Sequence, residues 1–428
     1  MGTSIELCLA GVSLSYSKNH MGIDYGILFQ DGDLKRRKSE QINYEYYAEN
    51  QEDEADLISA EETFVRPLSR IVPRLNLLCH TLDAARTEYQ SILLEANEFS
   101  NDEDFDELKK EYLTFEEFCD LACRYPIAEL ANDYIDYNTP DRDVIAKGRF
   151  ATDEDLFDRI PNFENRGSYW SEASYISNRV CILSAESMLQ IFALNSSNLE
   201  TEVSWQFGPI VSAGWVSRDL FQAGTRQKQR ILIATEGTSD ARIIRRALDA
   251  LRPDVADFFK FVDGNESHPF WGTGQLVKFA EGLLRIDLLN KVLFVFDNDA
   301  EGVDAYRKLQ KLNLPANMRA MLLPELEDFR SFRTIGPEGE NFSDINGRAA
   351  AIECYLDLSF EHTPFVRWSN YKKDIDAWHG ALEFKESYSK HFYNHFDLNF
   401  SNGSYDASKL RILIDHLVKE AALVGFAV

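Results

Sequence analysis

The chain has 428 residues, enough for two or three domains at about 150 residues each, and its 44% hydrophobic content excludes a wholly disordered or fibrous protein. Its net charge of −26 is uneven: residues 1–228 hold 41 acidic and 21 basic residues (−20), and residues 229–428 hold the other 30 and 24 (−6). The acidic first half should repel phosphates and favour a protein partner or a homo-oligomer. The second half is the better place for handling nucleic acid.

Targeting and redox signals are weak throughout the chain. There is no apolar run of about 20 residues and no basic N-terminal region followed by an apolar stretch, so we predict a cytoplasmic protein that does not contact a membrane. The six cysteines show no C-x-x-C spacing. We therefore expect buried thiols rather than a zinc or redox site.

Residues 1–228 are predicted to form a mostly helical domain with a small β element. Apolar and polar residues alternate within 4–30, which is typical of short strands. Apolar residues recur every three or four positions from Phe64 to Leu78, which indicates an amphipathic helix that Pro73 kinks or breaks. The predicted helices cover residues 64–78, 114–138 and 170–196. A polar segment near residue 228 marks the expected domain boundary.

The second half alternates short apolar strands with helices. The predicted strands cover residues 231–235, 258–262, 291–296 and 318–323, and the predicted helices cover residues 240–251, 274–284 and 300–312. Strands that are apolar on both faces need helices on both sides. We therefore predict a parallel α/β sheet in a domain over 229–360, followed by a helical extension over 361–428.

Two predicted strands end in carboxylates, at the edge where such sheets bind ligands. Glu236 follows the first strand, and Gly237 is expected to allow a tight turn into the next helix. Asp297 and Asp299 follow the third strand two residues apart, so both are expected to point the same way. Three converging carboxylates would repel each other without a cation, and Mg²⁺ or Mn²⁺ suits oxygen ligands. The alternative is that these acids only cap helices.

The pair Glu236-Gly237 and the run Asp297-Asn298-Asp299 with Gly302 resemble the two motifs of the Toprim domain, the shared catalytic core of topoisomerases, primases and a group of nucleases. The resemblance implies that the Glu is a general acid, a general base or a metal ligand, and that the two Asp residues hold Mg²⁺. The sequence lacks the cysteine cluster and basic lobe of a primase, and it lacks a Walker A motif. The expectation is therefore a stand-alone metal-dependent nuclease.

The first half has a resemblance of its own. The runs Met1-Gly-Thr-Ser-Ile-Glu-Leu and Arg70-Ile-Val-Pro-Arg-Leu-Asn-Leu-Leu resemble the N-terminal region of HEPN/Toprim proteins. Those proteins pair a helical domain with a C-terminal Toprim domain and are suspected of defence against phage. The resemblance implies this architecture for the whole chain and a nucleic-acid substrate, for which we favour DNA over RNA.

Further candidates come from the same resemblance, since similar nucleases use additional acids and a downstream Lys. These are Glu353, which is expected on a helix, and Lys385, which could instead be a solvated surface residue. Asp240, one helical turn beyond Glu236, is a candidate metal ligand, and Asp263 at the end of the second strand is a weaker one.

Two alternatives stay open. HEPN ribonucleases use an Arg and a His four to six residues apart and cleave RNA through its own 2′-OH without metal. Arg74 and His80 have five residues between them and are expected on one helix after Pro73. In the second alternative, the acidic helical half binds a protein and the other half is only a metal-binding scaffold. Chelation by EDTA separates the first alternative from a Toprim nuclease.

Overall fold

The computed structural model describes residues 2–49, 54–99, 111–161, 169–262, 272–286, 288–360, 363–372, 377–395 and 405–426. It divides into two compact units, Met1–Gly224 and Thr225–Val428. The division lies next to the boundary predicted near residue 228. None of the described helices combines the length and apolar character that crossing a lipid bilayer requires.

The first unit is built on an antiparallel sheet. Its strands are β1 (Ser4–Leu9), β2 (Val12–Lys18), β3 (Leu34–Arg36), β4 (Glu62–Pro67) and β5 (Glu202–Gln206). They lie in the order β2-β1-β5-β4-β3. The small β element predicted within 4–30 is therefore one side of a five-stranded sheet, because β5 enters between β1 and β4 from almost 200 residues away.

Ten helices are described in this unit. They are α1 (Tyr44–Glu49), α2 (Glu54–Ala60), α3 (Leu68–Leu77), α4 (Leu82–Phe99), α5 (Phe115–Ala122), α6 (Arg142–Lys147), α7 (Glu154–Phe157), α8 (Glu172–Val180), α9 (Ala185–Phe192) and α10 (Gly208–Ser212). The helix predicted from Phe64 begins only at Leu68, because the preceding residues pair with β3 and β5 as β4. Pro73 lies inside α3.

The second unit contains ten strands and five α-helices among its described residues. The strands are β6 (Ile231–Thr235), β7 (Phe259–Phe261), β8 (Lys291–Phe296), β9 (Asn298–Asp299), β10 (Met318–Leu322), β11 (Phe332–Gly336), β12 (Gly339–Ser343), β13 (Ala349–Ala350), β14 (Val366–Lys372) and β15 (Ala377–Leu382). The helices are α11 (Thr238–Leu251), α12 (Thr273–Leu283), α13 (Ala300–Gln310), α14 (Lys385–His395) and α15 (Ser408–Ala422).

A parallel sheet of order β10-β8-β6-β7 forms the centre of this unit. All six residues of β8 are buried. Val292, Phe294 and Phe296 share one core with α12 and α13, while α11 packs on β6 and against α15. Helices therefore cover both faces, as the doubly apolar strands predict. The predicted mixed α/β character is confirmed.

A second sheet, of order β12-β11-β14-β15, corrects the predicted helical extension. The segment 361–428 contributes β14 and β15 as well as α14 and α15, and β14 pairs with β11. The predicted boundary at residue 360 therefore cuts through one sheet. The sequence signal was weak here because these strands mix aromatic, polar and charged residues.

Candidate active site

Glu236 and Asp297 meet at the carboxyl edge of the parallel sheet. Glu236 directly follows β6 and Asp297 directly follows β8, and these two strands are neighbours. The backbone N–H of Asp297 donates to Glu236 Oε1 at 3.0 Å. Parallel pairing thus brings together two motifs that lie about sixty residues apart in the chain, because it aligns the carboxyl ends of β6 and β8.

The two aspartates of the second motif have different local partners. Asp297 Oδ1 accepts from the backbone N–H of Ile352 at 3.0 Å. Asp299 Oδ1 accepts from the backbone N–H groups of Glu301 at 2.9 Å and Gly302 at 2.7 Å, so Asp299 is the N-cap of α13. The capping role considered for these acids therefore applies to Asp299. Capping occupies only one of its carboxylate oxygens.

Close packing explains the glycine at position 302. A Cβ atom there would lie 2.1 Å from the backbone oxygen of Asp297. Only glycine lets the first turn of α13 approach the end of β8 this closely. Gly237 is different, since its φ of −148° is extended backbone that any residue adopts. The tight turn expected there is present, because only two residues separate β6 from α11, but its backbone does not require glycine. The Gly237 N–H donates to Asp240 Oδ2 at 2.9 Å.

Asp240 and Glu353 add two more carboxyl groups. Asp240 lies in the first turn of α11. Glu353 is only 8% exposed and lies on a helix, as expected, which is the short 3₁₀ helix Ile352–Tyr355. The charges of Asp240 and Glu353 both act on Asp297. The structure therefore gathers five candidate acids at one edge of the sheet: Glu236, Asp240, Asp297, Asp299 and Glu353.

Crowding and burial make Glu236, Asp240 and Asp297 hard to ionise. Burial, then the charge of Asp299, raises the pKa of Glu236 to about 8. Burial, then the charge of Glu353, raises the pKa of Asp240 to about 6. Burial and the neighbouring carboxylates raise the pKa of Asp297 well above its usual value. Carboxyl groups that lie close together and away from water have raised pKa values, because the charged form is poorly solvated and is repelled by its neighbours.

The donor set fits a hard divalent cation. Among the described residues, one oxygen each of Glu236, Asp297 and Asp299 bonds a backbone N–H, and the second oxygen of each has no protein donor. Carboxylate oxygens are the ligands that Mg²⁺ and Mn²⁺ take, and a cation would relieve the repulsion. Within the described ranges, however, no group of three or more Asp, Glu, His or Cys side chains is placed as it stands to hold a metal ion.

His379 is a site residue that the sequence did not reveal. Burial raises the pKa of Asp299, while the charge of His379, on β15, opposes that rise. The Nδ1 atom of His379 is buried and has no hydrogen-bond partner in the described part of the chain. A lone histidine 80 residues after Asp299 carries no sequence signal, because its position depends on how β15 packs near β13 and α13.

Cations and an aromatic ring lie beside Asp240 and Glu353. The charges of Arg242, Arg246, Asp240 and Glu353 all act on the phenol of Tyr393, although burial is the main reason that its pKa is raised. The guanidinium of Arg246 lies 6.0 Å from the centre of the Tyr393 ring. Arg242 is exposed and has no ion-pair partner among the described residues. The acidic centre thus has a basic and aromatic margin.

One other candidate, Lys385, is not linked to the acids, and another, Asp263, is not described. Lys385 begins α14 and is exposed, and no described residue forms a hydrogen bond or ion pair with it. Its charge is not among the main influences on the pKa of Glu236, Asp240, Asp297 or Asp299. Asp263 lies outside the residues that the structure describes.

Arg74 and His80 are the alternative HEPN pair, and in the first unit the contacts of Arg74 are those of a structural residue. Arg74 is fully buried, and its guanidinium donates to the backbone oxygens of Ile27 at 2.8 Å and Phe29 at 3.3 Å. His80 lies beyond α3, which ends at Leu77, so the expectation that both lie on one helix is wrong. A guanidinium that satisfies interior carbonyls is not available to bind RNA.

These features define a two-unit α/β protein whose second unit gathers carboxylates at the ends of parallel strands. Residues 1–229 match the family described as HEPN/Toprim N-terminal domain 1, which is more than half of the chain. The protein belongs to this family, and the resemblance noted at its N-terminus is confirmed. Comparison with curated proteins and with solved structures gives no match.

Proposed function

We propose that the protein is a Mg²⁺- or Mn²⁺-dependent nuclease of the Toprim type that hydrolyses phosphodiester bonds in nucleic acid, DNA in preference to RNA, in defence against phage. The observation that carries the proposal is the contact between Glu236 and the Asp297 backbone at adjacent parallel strand ends. Family membership supports it, because the family name pairs this N-terminal domain with a Toprim domain.

The proposed division of roles follows from the hydrogen bonds. Asp297 and Asp299 would hold the cation, with Asp240 and Glu353 as further acids, and Glu236 would either hold a second cation or move the proton. When bound, a divalent cation supplies charge neutralisation at the phosphate and a more acidic water. The backbone N–H groups that bond one oxygen of each carboxylate fix the direction of the other oxygen. This fixed direction limits the reorganisation needed during the reaction.

Proton transfer is assigned to Glu236. With a pKa of about 8, its carboxyl group exchanges a proton near neutral pH, which suits a general acid or base. The charge of His379 acts on Asp299. We assign His379 to orienting Asp299 or contacting a phosphate oxygen. The margin formed by Arg242, Arg246 and Tyr393 would hold the substrate backbone and stack a base.

The metal-independent HEPN alternative is not favoured, because Arg74 is committed to interior carbonyls. Protein binding by the acidic half is compatible with the nuclease proposal and is developed below as a separate inference.

The decisive experiment incubates purified protein with plasmid, single-stranded DNA and RNA, with Mg²⁺, Mn²⁺ or EDTA. Cleavage should require the cation and should fall by about 100-fold or more in Asp297→Asn, which keeps the size of the side chain. Glu386→Gln removes an exposed charge on α14 and is the matched control, with unchanged cleavage expected. Wild-type cleavage by folded Asp297→Asn, or full activity in EDTA, would contradict the proposal.

A further inference from the structure

A groove in the first unit lies apart from the candidate active site. It has a volume of about 550 Å³ and is lined by residues of β1, β2, α8 and the segments around Asn132 and Trp170. Among the described strands, β2 has β1 as its sole neighbour, so β2 is the outer strand of the sheet. The groove therefore runs along a sheet edge that no other described strand covers.

One wall of the groove is a helix with short polar side chains. Ser174, Ser177 and Asn178 lie on α8, and Cys181 directly follows it, so the four positions share one helical face. The hydroxyl of Ser177 donates to the backbone oxygen of Ser13 at 2.5 Å. This bond holds α8 beside β2 at Ser13 and uses that carbonyl oxygen, while Ser13 also pairs with Cys8 of β1. Small side chains leave room between the strand and the helix.

The charge of the groove selects its ligand. Glu6 is the single charged side chain in the described lining, which contains no Lys, Arg or His. Residues 1–228 carry an excess of 20 acidic residues. Phosphates and carboxylates are therefore repelled, and a group with N–H donors and positive charge is attracted. Tyr16 and Trp170, which are 60% and 44% exposed, add aromatic surface for a cation or an alkyl chain.

We propose that this groove binds an extended segment of a partner protein that carries a Lys or Arg side chain, with the basic group paired to Glu6. An extended peptide matches the repeat of backbone groups along a strand edge, as in other cases of strand addition. The hydroxyl and amide side chains of α8 then face the far edge of the peptide. A nucleoside or a sugar would also meet hydroxyl groups, but neither uses the strand edge.

The test screens the full-length protein against a display library of random ten-residue peptides. Enriched peptides should share a Lys or Arg at a fixed position. A synthetic copy of the best peptide should bind Glu6→Gln about tenfold more weakly, because the variant keeps the shape of the side chain and loses its charge. Asn178→Trp fills the groove and should abolish binding. Ser91→Trp, at an exposed position on α4, is the matched control.

The outcomes separate this inference from the nuclease proposal. Asp297→Asn should bind the peptide like the wild type whether or not it cleaves nucleic acid. The inference is wrong if no basic preference emerges, if Glu6→Gln binds equally well, or if adenosine or glucose at millimolar concentration displaces the peptide. Circular dichroism of each variant ensures that lost binding is not lost folding.

Discussion

The raised pKa of Glu236 leads to a stability prediction that does not depend on detecting cleavage. Its value is 4.5 in the reference state and about 8 in the folded protein. A carboxyl group that holds its proton more tightly when folded lowers the free energy of unfolding as the pH rises from about 4.5 to about 8. Glu236→Gln removes this cost, and its amide oxygen can still accept from the Asp297 N–H.

The magnitude follows from the two pKa values. At about 1.4 kcal/mol for each pH unit, full ionisation of Glu236 costs at most about 5 kcal/mol. Asp299 and Asp240 repel Glu236, and they take up protons when Glu236 ionises, which reduces this cost. We therefore expect Glu236→Gln to raise the free energy of unfolding by about 2 kcal/mol. For a unit of this size, that corresponds to a rise in Tm of about 4–8 °C for Glu236→Gln at pH 8.5.

The assay is differential scanning calorimetry in EDTA between pH 5 and pH 8.5. The stabilisation by Glu236→Gln should be large at pH 8.5 and should shrink towards pH 5, where the wild type is also protonated. Glu386→Gln, at an exposed position, should show no such trend. Equal stability of Glu236→Gln and wild type across the range would refute the reasoning, because it would mean that Glu236 ionises without cost.

Three further predictions test other contacts. Gly302→Ala should destabilise the second unit by about 3 kcal/mol or more, since its Cβ meets the Asp297 carbonyl, whereas Gly282→Ala, with open space around it, should be neutral or slightly stabilising; urea titration compares the two, and equal effects would disprove the packing argument. Arg74→Ala should cost about 3 kcal/mol of stability and leave metal-dependent cleavage by the folded protein intact, because its guanidinium serves interior carbonyls; loss of cleavage without loss of stability would instead favour HEPN chemistry. His379→Gln should lower cleavage by about tenfold and weaken the apparent affinity for Mn²⁺, measured by titration, with little change in Tm; unchanged cleavage and unchanged affinity would remove His379 from the site.

The parallel sheet of the second unit was predictable from local sequence. Fully apolar runs such as 292–296 are compatible with burial on both faces, and the intervening helices are amphipathic. The edge that gathers Glu236 and Asp297 was predictable for the same reason, since a parallel arrangement places all strand ends on one side. Asp240 followed because it lies one turn from Glu236.

The first-unit sheet required the tertiary structure. Its strands are short, and β5 pairs with β1 and β4 across long stretches of helical chain. The helix predicted over 64–78 and the small β element predicted within 4–30 were both inferred from local patterns. The strands in these segments instead depend on pairing with residues far away in the chain. A strand of six residues gains its hydrogen bonds only from partners, so the pattern of its own side chains cannot identify them.

The sequence by itself determined which acids stand at strand ends, because that follows from chain order and from the apolar character of the strands. That these acids hold a cation stays a prediction. Only the tertiary structure decided what surrounds them. It brought Glu353 and His379 to the acids, left Lys385 unconnected to them, and buried Arg74 against backbone carbonyls. Those positions depend on which elements pack together, and packing is a property of the whole fold rather than of any short segment.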